Sequence, residues 1–417
     1  MNQTIRNPRF ITPLFLTFGI IYRAILIYFN PQPYIADQTR YHDIAIGILR
    51  NGIFADSTRP YGYAMIVAIW YKLFGVGNFL AWKLIQVVLD ALIALFVYWT
   101  AKDVFGKKLP AVIAFILYSC SPFVAAYAGV LLTEVSAVFC MALFLLLWQR
   151  FFQTKKILYL ISGAFFMGYL PEMRPAYFFF MVGLFVVALF LLRKMGIKWH
   201  QWILVVVAFI LPFSYAIAGN YLFFHRISPL AVDGGFSRQL VASEALEGRV
   251  PHPILRAGIF PEPIGQMEWD LRFPYNAEYR TNLAKVALKK GIDIAMKDPW
   301  HFLRVRLNKA WYVWEKHFLF VYSEEPRIVE VAVYTVNTLL LVFAVAGIIV
   351  FCTKPLQPHQ RIFLLTCIAL LLYTSAAHTI SIAEERYSLP VYPILFIFAG
   401  YAIASLKDRI KRSINHE

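Results

Sequence analysis

A set of polar residues stands out from long apolar runs. Asp37, Tyr41, His42 and Asp43 lie in "YIADQTRYHDIAIGILRNGIF", and further along are Arg59, Glu134, Glu172, Arg174, His378, Glu384, Glu385 and Arg386. Arginines hold a phosphate through forked, charge-assisted hydrogen bonds, and a carboxylate can take a proton from an attacking hydroxyl. Gathered beside lipid, these side chains suit a reaction on a phosphate-bearing lipid. Each also has an ordinary reading. Asp37 has the residue type of a helix N-cap, and Glu134 opens a helix where its charge favours the positive dipole end. Arg174 and Arg386 are of the kind that anchors a helix end at a membrane interface. His42 and His378 read as interfacial hydrogen-bonders, and Asp43 reads as solvated. No H-x-x-H or H-E-x-x-H spacing occurs, so no metal ligand is assigned, and the need for a divalent cation stays open.

The elements that must position these groups are membrane helices. Of the 417 residues, 60% are hydrophobic and 15% charged, and the apolar residues fall in runs near the roughly 20 needed to span a bilayer. The expected spans are 10–29, 79–101, 110–127, 132–150, 156–172, 175–193, 202–224, 328–352, 361–379 and 388–406, giving an all-α polytopic membrane protein of about ten helices. The first run contains Arg23 and lacks a small-residue cleavage pattern, so it is expected to remain as an anchor. The formal charge of +16 resembles a nucleic-acid signal. However, its Lys and Arg crowd at one set of helix ends, in "AKDVFGKK", "WQRFFQTKK", "LLRKMGIKW", "TKPLQPHQR" and "LKDRIKRSINHE", as positive loops kept in the cytoplasm do. Nucleic acid is therefore set aside. Both termini are expected inside, and the eye-catching polar residues outside. Cys120, Cys140, Cys352 and Cys367 lie in or at the end of apolar runs and read as packing residues.

Two outer segments break the hairpin pattern, at about 30–78 and about 225–327. In the first, Tyr41, Ile44, Ala45, Ile48 and Leu49 share one helical face, as in a helix lying on the membrane surface. The following "YGYAMIVAIWYKLFG" is short for a crossing and reads as a second interfacial helix. In the second, Trp300, Leu303, Leu307, Trp311 and Trp314 form one face from Pro299 onward, with Arg304, Arg306 and Lys309 off it. This predicts an interfacial helix with tryptophans at headgroup depth. No repeat or soluble domain is apparent, so residues 1–417 read as one membrane-embedded domain.

The order of "ADQTRYHDIA", "RPYGYAMIVAIWYKLFG", "SPFVAAYAGVLLTEVSAVF", "GYLPEMRPAY" and "EERYSLPVYPILFIFAGY" resembles the C-type (GT-C) membrane glycosyltransferases. More narrowly, it is similar to the bacterial branch related to aminoarabinose transferase and the protein O-mannosyltransferases. The likeness runs over about residues 10–190 and returns at "GNYLFFHRISPLAVDGG" and "ERYSLP", but leaves most of 237–327 unmatched. The resemblance implies transfer of a sugar, with inversion, from a polyprenyl-phosphate carrier to a glycan, lipid or protein acceptor, among membrane lipids at the outer face of a bacterial inner membrane. It makes Asp37 the catalytic acid-base or, in metal-using relatives, a metal ligand. Tyr41 falls at the family's tyrosine position, Arg59 at its carrier-phosphate contact, and Glu134 and Arg174 at its "TE" and "RP" positions. His42, Glu385 and Arg386 join them as candidate substrate contacts. Gln38 stands where many relatives carry a second acid, which weakens a two-carboxylate metal site.

A lipid or solute transporter or flippase is the rival class. Its support is Asp90, mid-helix, with Lys83 seven residues earlier on a similar face, because charge inside a membrane often marks a pathway. Against it, the polar residues crowd one membrane surface rather than the midplane of interrupted, repeated helices.

Overall fold

The computed structural model describes residues 8–54, 56, 59–195, 197–232, 289, 292–323, 325–380 and 383–414. Among them it is helical, with no strand. The first half holds α1 (Pro8–Phe29), α2 (Asp37–Asn51), α3 (Gly62–Phe74), α4 (Phe79–Phe105), α5 (Lys108–Ser119), α6 (Pro122–Ala125), α7 (Glu134–Thr154) and α8 (Ile157–Tyr169). Then come α9 (Phe178–Lys194), α10 (Trp199–Ile210), α11 (Ser214–Phe224), α12 (Pro299–Tyr312), α13 (Arg327–Cys352), α14 (Pro358–Ile380) and α15 (Tyr392–Ile414).

Among the described residues, eight helical stretches are long and apolar enough to cross a membrane. The other two expected spans are α1, of 22 residues, and α8 with the 3-10 turn Leu170–Glu172 that prolongs it. With 13 residues, α3 is only about 20 Å long against a hydrocarbon core of about 30 Å, so it does not cross. The run expected as one span at 110–127 is one apolar stretch, Lys108–Gly129, whose helix is broken within it. α5 stops at Ser119, Pro122 opens the single turn α6, whose first N–H to be capped bonds Ser121 Oγ, and a 3-10 turn follows at Ala126–Gly129. Proline fits a first turn but not a helix interior, and that places the break.

Two helices form the axis. The apolar stretches Glu134–Thr154 and Glu385–Asp408 are 83% buried, against 28% for Pro175–Lys194 and Arg327–Cys352, which leave most of their surface uncovered by protein. α15 packs on α5 and α13, and α7 on α4 and α8. At the α13–α15 crossing a Cβ on Gly347 would sit 2.0 Å from the Phe398 carbonyl oxygen, so only glycine lets the backbones meet there. Both axial helices begin at the same end of the bundle, at Glu134 and just after Arg386.

The two segments expected as interfacial are helices, α2 and α12, and each departs in one respect from its sequence pattern. The apolar face of α2 is covered by protein: Tyr41, Ile44 and Ala45 are buried against α3 and its neighbours, while Asp43 is exposed. In α12 the tryptophan face points outward, with Trp300, Leu303, Leu307 and Trp311 exposed, and Arg306 and Lys309 are buried toward α14. Of the long side chains off the apolar stripe, Arg306 and Lys309 fill the interior, while Arg304 is exposed. The remainder of the long segment, 233–288 with 290 and 291, lies outside the described residues.

Candidate active site

α2 starts at Asp37, and its N-cap position is Ala36, with φ 56° and ψ −125°. A positive φ is costly for a residue with a Cβ, by about 1–3 kcal/mol where the surroundings impose it. Asp37 therefore follows a forced turn as the first residue of the helix and does not occupy the N-cap position. Gln38, in the place of the second acid, is spent on backbone: it donates to the Pro33 carbonyl at 2.8 Å and accepts from Leu131 N–H at 2.9 Å, tying α2 to the loop before α7.

Three arginines from distant parts of the chain meet the acids here. Arg59 donates to Asp37 Oδ1 at 2.5 Å, and Arg386 to Asp37 Oδ2 at 3.5 Å. Arg386 also donates to Glu384 at 2.7 Å and to Glu134 Oε1 at 3.4 Å. Arg174 Nη2 lies 2.6 Å from the same Glu134 oxygen. The Tyr387 ring lies beneath both Arg174 and Arg386, at 5.4 and 5.7 Å, and its hydroxyl donates to Glu384. Glu134 is 1% exposed, and its Oε2 has no hydrogen-bond partner among the described residues. Asp37 and Arg59, by contrast, keep 27% and 40% of their side chains accessible. The cluster is thus closed at Glu134 and open at Asp37. Asp37's charge pushes the Arg59 pKa upward, so that arginine stays cationic.

The loop that presents Arg59 is organised by Asp56, which the sequence did not single out. Its carboxylate pairs with Arg40 at 2.6 Å and accepts from Arg59 N–H at 3.2 Å, and its carbonyl accepts from Tyr61 Oη at 2.8 Å. Tyr61 also donates to Asn220 Oδ1. Next to it, Glu172 is buried, within electrostatic reach of the backbone N–H groups of Tyr61 and Gly62. A Cβ at Gly62 would stand 2.6 Å from Glu172 Cβ, so this glycine is what lets the start of α3 rest on the "PEMR" turn that carries Arg174.

The remaining candidates have other neighbours. Tyr41 is buried edge-on to Tyr63, at 4.9 Å. His42 Nδ1 meets Tyr71 Oη at 2.7 Å, and its ring lies among Tyr34, Tyr71 and Phe79. Glu385 turns its carboxylate to His317, with 2.6 Å to the backbone N–H and 2.7 Å to Nδ1. His378 is buried with its ring 5.0 Å from that of Tyr387. Asp90 is partnered not by Lys83 but by Arg23 of α1, in a fully buried pair; Tyr118 Oη adds a hydrogen bond at 2.6 Å.

A segment unremarked in the sequence covers the cluster. After α12 the chain "EKHFLFVYS" turns inward: Lys316 Nζ donates to the Glu385 carbonyl and to Ser388 Oγ, and Glu325 accepts from the N–H groups of Leu319 and Phe320. Tyr322 N–H bonds Gln32 Oε1 of the first loop at 3.0 Å. Tyr322 itself is buried within electrostatic reach of Asp37, Glu134 and Arg386. The run of Phe318, Leu319, Phe320, Val321 and Tyr322 was its only signal.

The described residues contain no group of three His, Cys, Asp or Glu placed to share a metal ion. The donor set at Asp37 also does not fit one: its neighbours are arginines, and Gln38 is committed to backbone.

Residues 58–217 match the family model described as dolichyl-phosphate-mannose-protein mannosyltransferase. An uncharacterized protein of Aquifex aeolicus is 28% identical over 149 residues, covering 33% of this chain and 30% of that protein. Among solved structures, the oligosaccharyltransferase AglB of Archaeoglobus fulgidus, in complex with an inhibitory peptide and a dolichol-phosphate, aligns with a TM-score of 0.51 at 14% identity. That alignment covers 98% of this chain and 52% of that one. The apo form of the Archaeoglobus fulgidus oligosaccharyltransferase gives 0.53 at 16% identity, over 97% and 52%. The chain thus spans about half the length of these structures and less than a third of the Aquifex protein. The likeness holds as fold over the described chain and as family sequence over 58–217: this is a polytopic membrane protein with the GT-C fold.

Proposed function

We propose that the protein is an inverting glycosyltransferase that moves a sugar from a polyprenyl-phosphate carrier to an acceptor hydroxyl at the outer face of a bacterial inner membrane. The observation that carries this reading is the convergence of Arg59, Arg174 and Arg386 on Asp37 and Glu134 at one end of the bundle. The family match at 58–217 and the dolichol-phosphate bound by the structurally similar AglB support a lipid-phosphate donor.

In this reading Asp37 is the base. It takes the acceptor's O–H proton as that oxygen bonds the sugar's anomeric carbon and the bond from that carbon to the phosphate oxygen breaks. The bonding pair leaves with the phosphate, which gains negative charge while Arg59, Arg174 and Arg386 hold it. Asp37 and Glu134 pair with those arginines, so the donor phosphate competes with them for the same guanidinium groups. Arrival of the phosphate draws Arg59 and Arg386 away from Asp37 and leaves its carboxylate available to the hydroxyl. Both termini lie in the cytoplasm, as the Lys and Arg distribution supports, and the long segment 225–327 contributes to acceptor choice.

The test is turnover of a polyprenyl-phosphate-linked sugar by the purified protein in liposomes without any ion gradient. Gradient-dependent movement without turnover would favour a transporter instead.

A further inference from the structure

Far from Asp37, where α4 ends, α5 begins, α13 ends and the last turns of α15 pass, lies a cavity of about 390 Å³. α4 separates the two places: it has 27 residues and is therefore about 40 Å long, running from Phe79, beside His42, to Phe105 at the cavity. Three ammonium groups line the cavity, those of Lys107, Lys108 and Lys354, with a single carboxylate, Asp408. That carboxylate compensates little, since Asp408 reaches Lys107 only at 3.8 Å and both side chains are more than half exposed. Two positive charges are left over. Beside them the lining includes Ser405 and an apolar part formed by Leu109, Pro110, Val350, Ala404 and the ring of Tyr401, which is stacked on Phe105 at 4.4 Å.

We infer that this cavity binds the headgroup of an anionic phospholipid. Uncompensated lysines call for an anion, and a phosphate gives each ammonium an oxygen to donate to. The apolar wall and the position at the ends of membrane helices call for an anion that carries hydrocarbon. The same helices present exposed apolar side chains just beyond, Val345 and Ile349 on α13 and Leu406 on α15, for acyl chains to lie against. A free phosphate would satisfy the lysines but leave that wall against water. The lipid is a phosphatidylglycerol-like diester, bound independently of the sugar-transfer reading.

Native mass spectrometry of the full-length protein, released from bilayers with equal phosphatidylglycerol and phosphatidylcholine, tests this. Wild type should retain one phosphatidylglycerol in preference to phosphatidylcholine by at least tenfold. The triple variant Lys107→Ala, Lys108→Ala, Lys354→Ala should lose that preference. Its thermal unfolding should be unchanged, because the three side chains are exposed. Asp408→Asn, which removes the competing anion, should retain the lipid severalfold better. Equal retention of the two lipids, or an unchanged preference in the triple variant, would overturn the site. Displacement of phosphatidylglycerol by an equal concentration of inorganic phosphate would overturn the lipid as its occupant.

Discussion

Arg386 reaches Asp37 at 3.5 Å across 349 positions of sequence. Its other nitrogens engage Glu384 and Glu134, so one guanidinium joins the first loop, the start of α7 and the turn that opens α15. A side chain shared among three carboxylates is already directed at anionic oxygens.

Removing a charged donor at this site should therefore hurt transfer more than shortening a side chain would. Loss of one well-placed donor costs roughly 2–4 kcal/mol of transition-state stabilisation, so Arg174→Ala should lower turnover more than tenfold. Arg174→Lys keeps the charge but loses the fork and should fall between the two. Unchanged turnover in both Arg59→Ala and Arg174→Ala would take phosphate binding away from these arginines.

Gly62→Ala tests the contact between α3 and the Arg174 turn. The new Cβ would meet Glu172 Cβ at 2.6 Å and its carbonyl oxygen at 2.9 Å, neither of which is the end of a flexible side chain. Overpacking of this kind costs about 1–3 kcal/mol, visible as a lower unfolding temperature in detergent. An unchanged melting temperature would show that the two segments are not in contact.

The pair Arg23 and Asp90 should matter for stability and not for transfer. Removing one partner of a buried pair strands the other, so Asp90→Ala should destabilise by about 3–5 kcal/mol, while Arg23→Met with Asp90→Leu should recover much of that loss. Turnover per folded molecule should stay near wild type in the double variant. Loss of function there, with the fold intact, would revive a transport pathway through the membrane centre.

Lys309 gives the protein a pH dependence with a definite sign. Burial, with Arg306 adding repulsion, lowers its pKa from 10.5 to about 6. Between those values the unfolded chain binds a proton that the folded one does not, so stability is lost as pH falls from 10.5 toward 6. Relative to Lys309→Met, the wild-type melting temperature should rise with pH across that window. Parallel curves for the two proteins would contradict the lowered value.

Much of this arrangement was legible in the sequence because membrane helices announce themselves. The run of apolar residues places α4, α7 and α13, and the lysines at "AKDVFGKK" and "WQRFFQTKK" mark one set of ends. Asp37, Glu134, Arg174 and Arg386 stand at the opposite ends of their helices, so topology alone suggested that they meet. What pattern could not supply was direction. Glu384 and Glu385 are adjacent, and only the backbone of the 3-10 turn turns the first to Arg386 and the second to His317. Asp56 reads as a loop residue until Arg40 and Arg59 are seen folded around it. The inward turn at Lys316 to Glu325 depends on contacts to Gln32 and Ser388, far away in sequence, which no local pattern encodes.

The most direct test concerns Asp37. Asn has nearly the same shape and can still hydrogen-bond to Arg59, but it cannot take a proton from a hydroxyl. The measurement is turnover of a polyprenyl-phosphate-linked sugar by Asp37→Asn, with wild-type unfolding temperature and retained binding of the polyprenyl phosphate confirmed on the same preparation. If Asp37 is the base, turnover falls by at least about a hundredfold, as removal of a general base produces. Near-normal turnover in a folded, carrier-binding Asp37→Asn protein would contradict it.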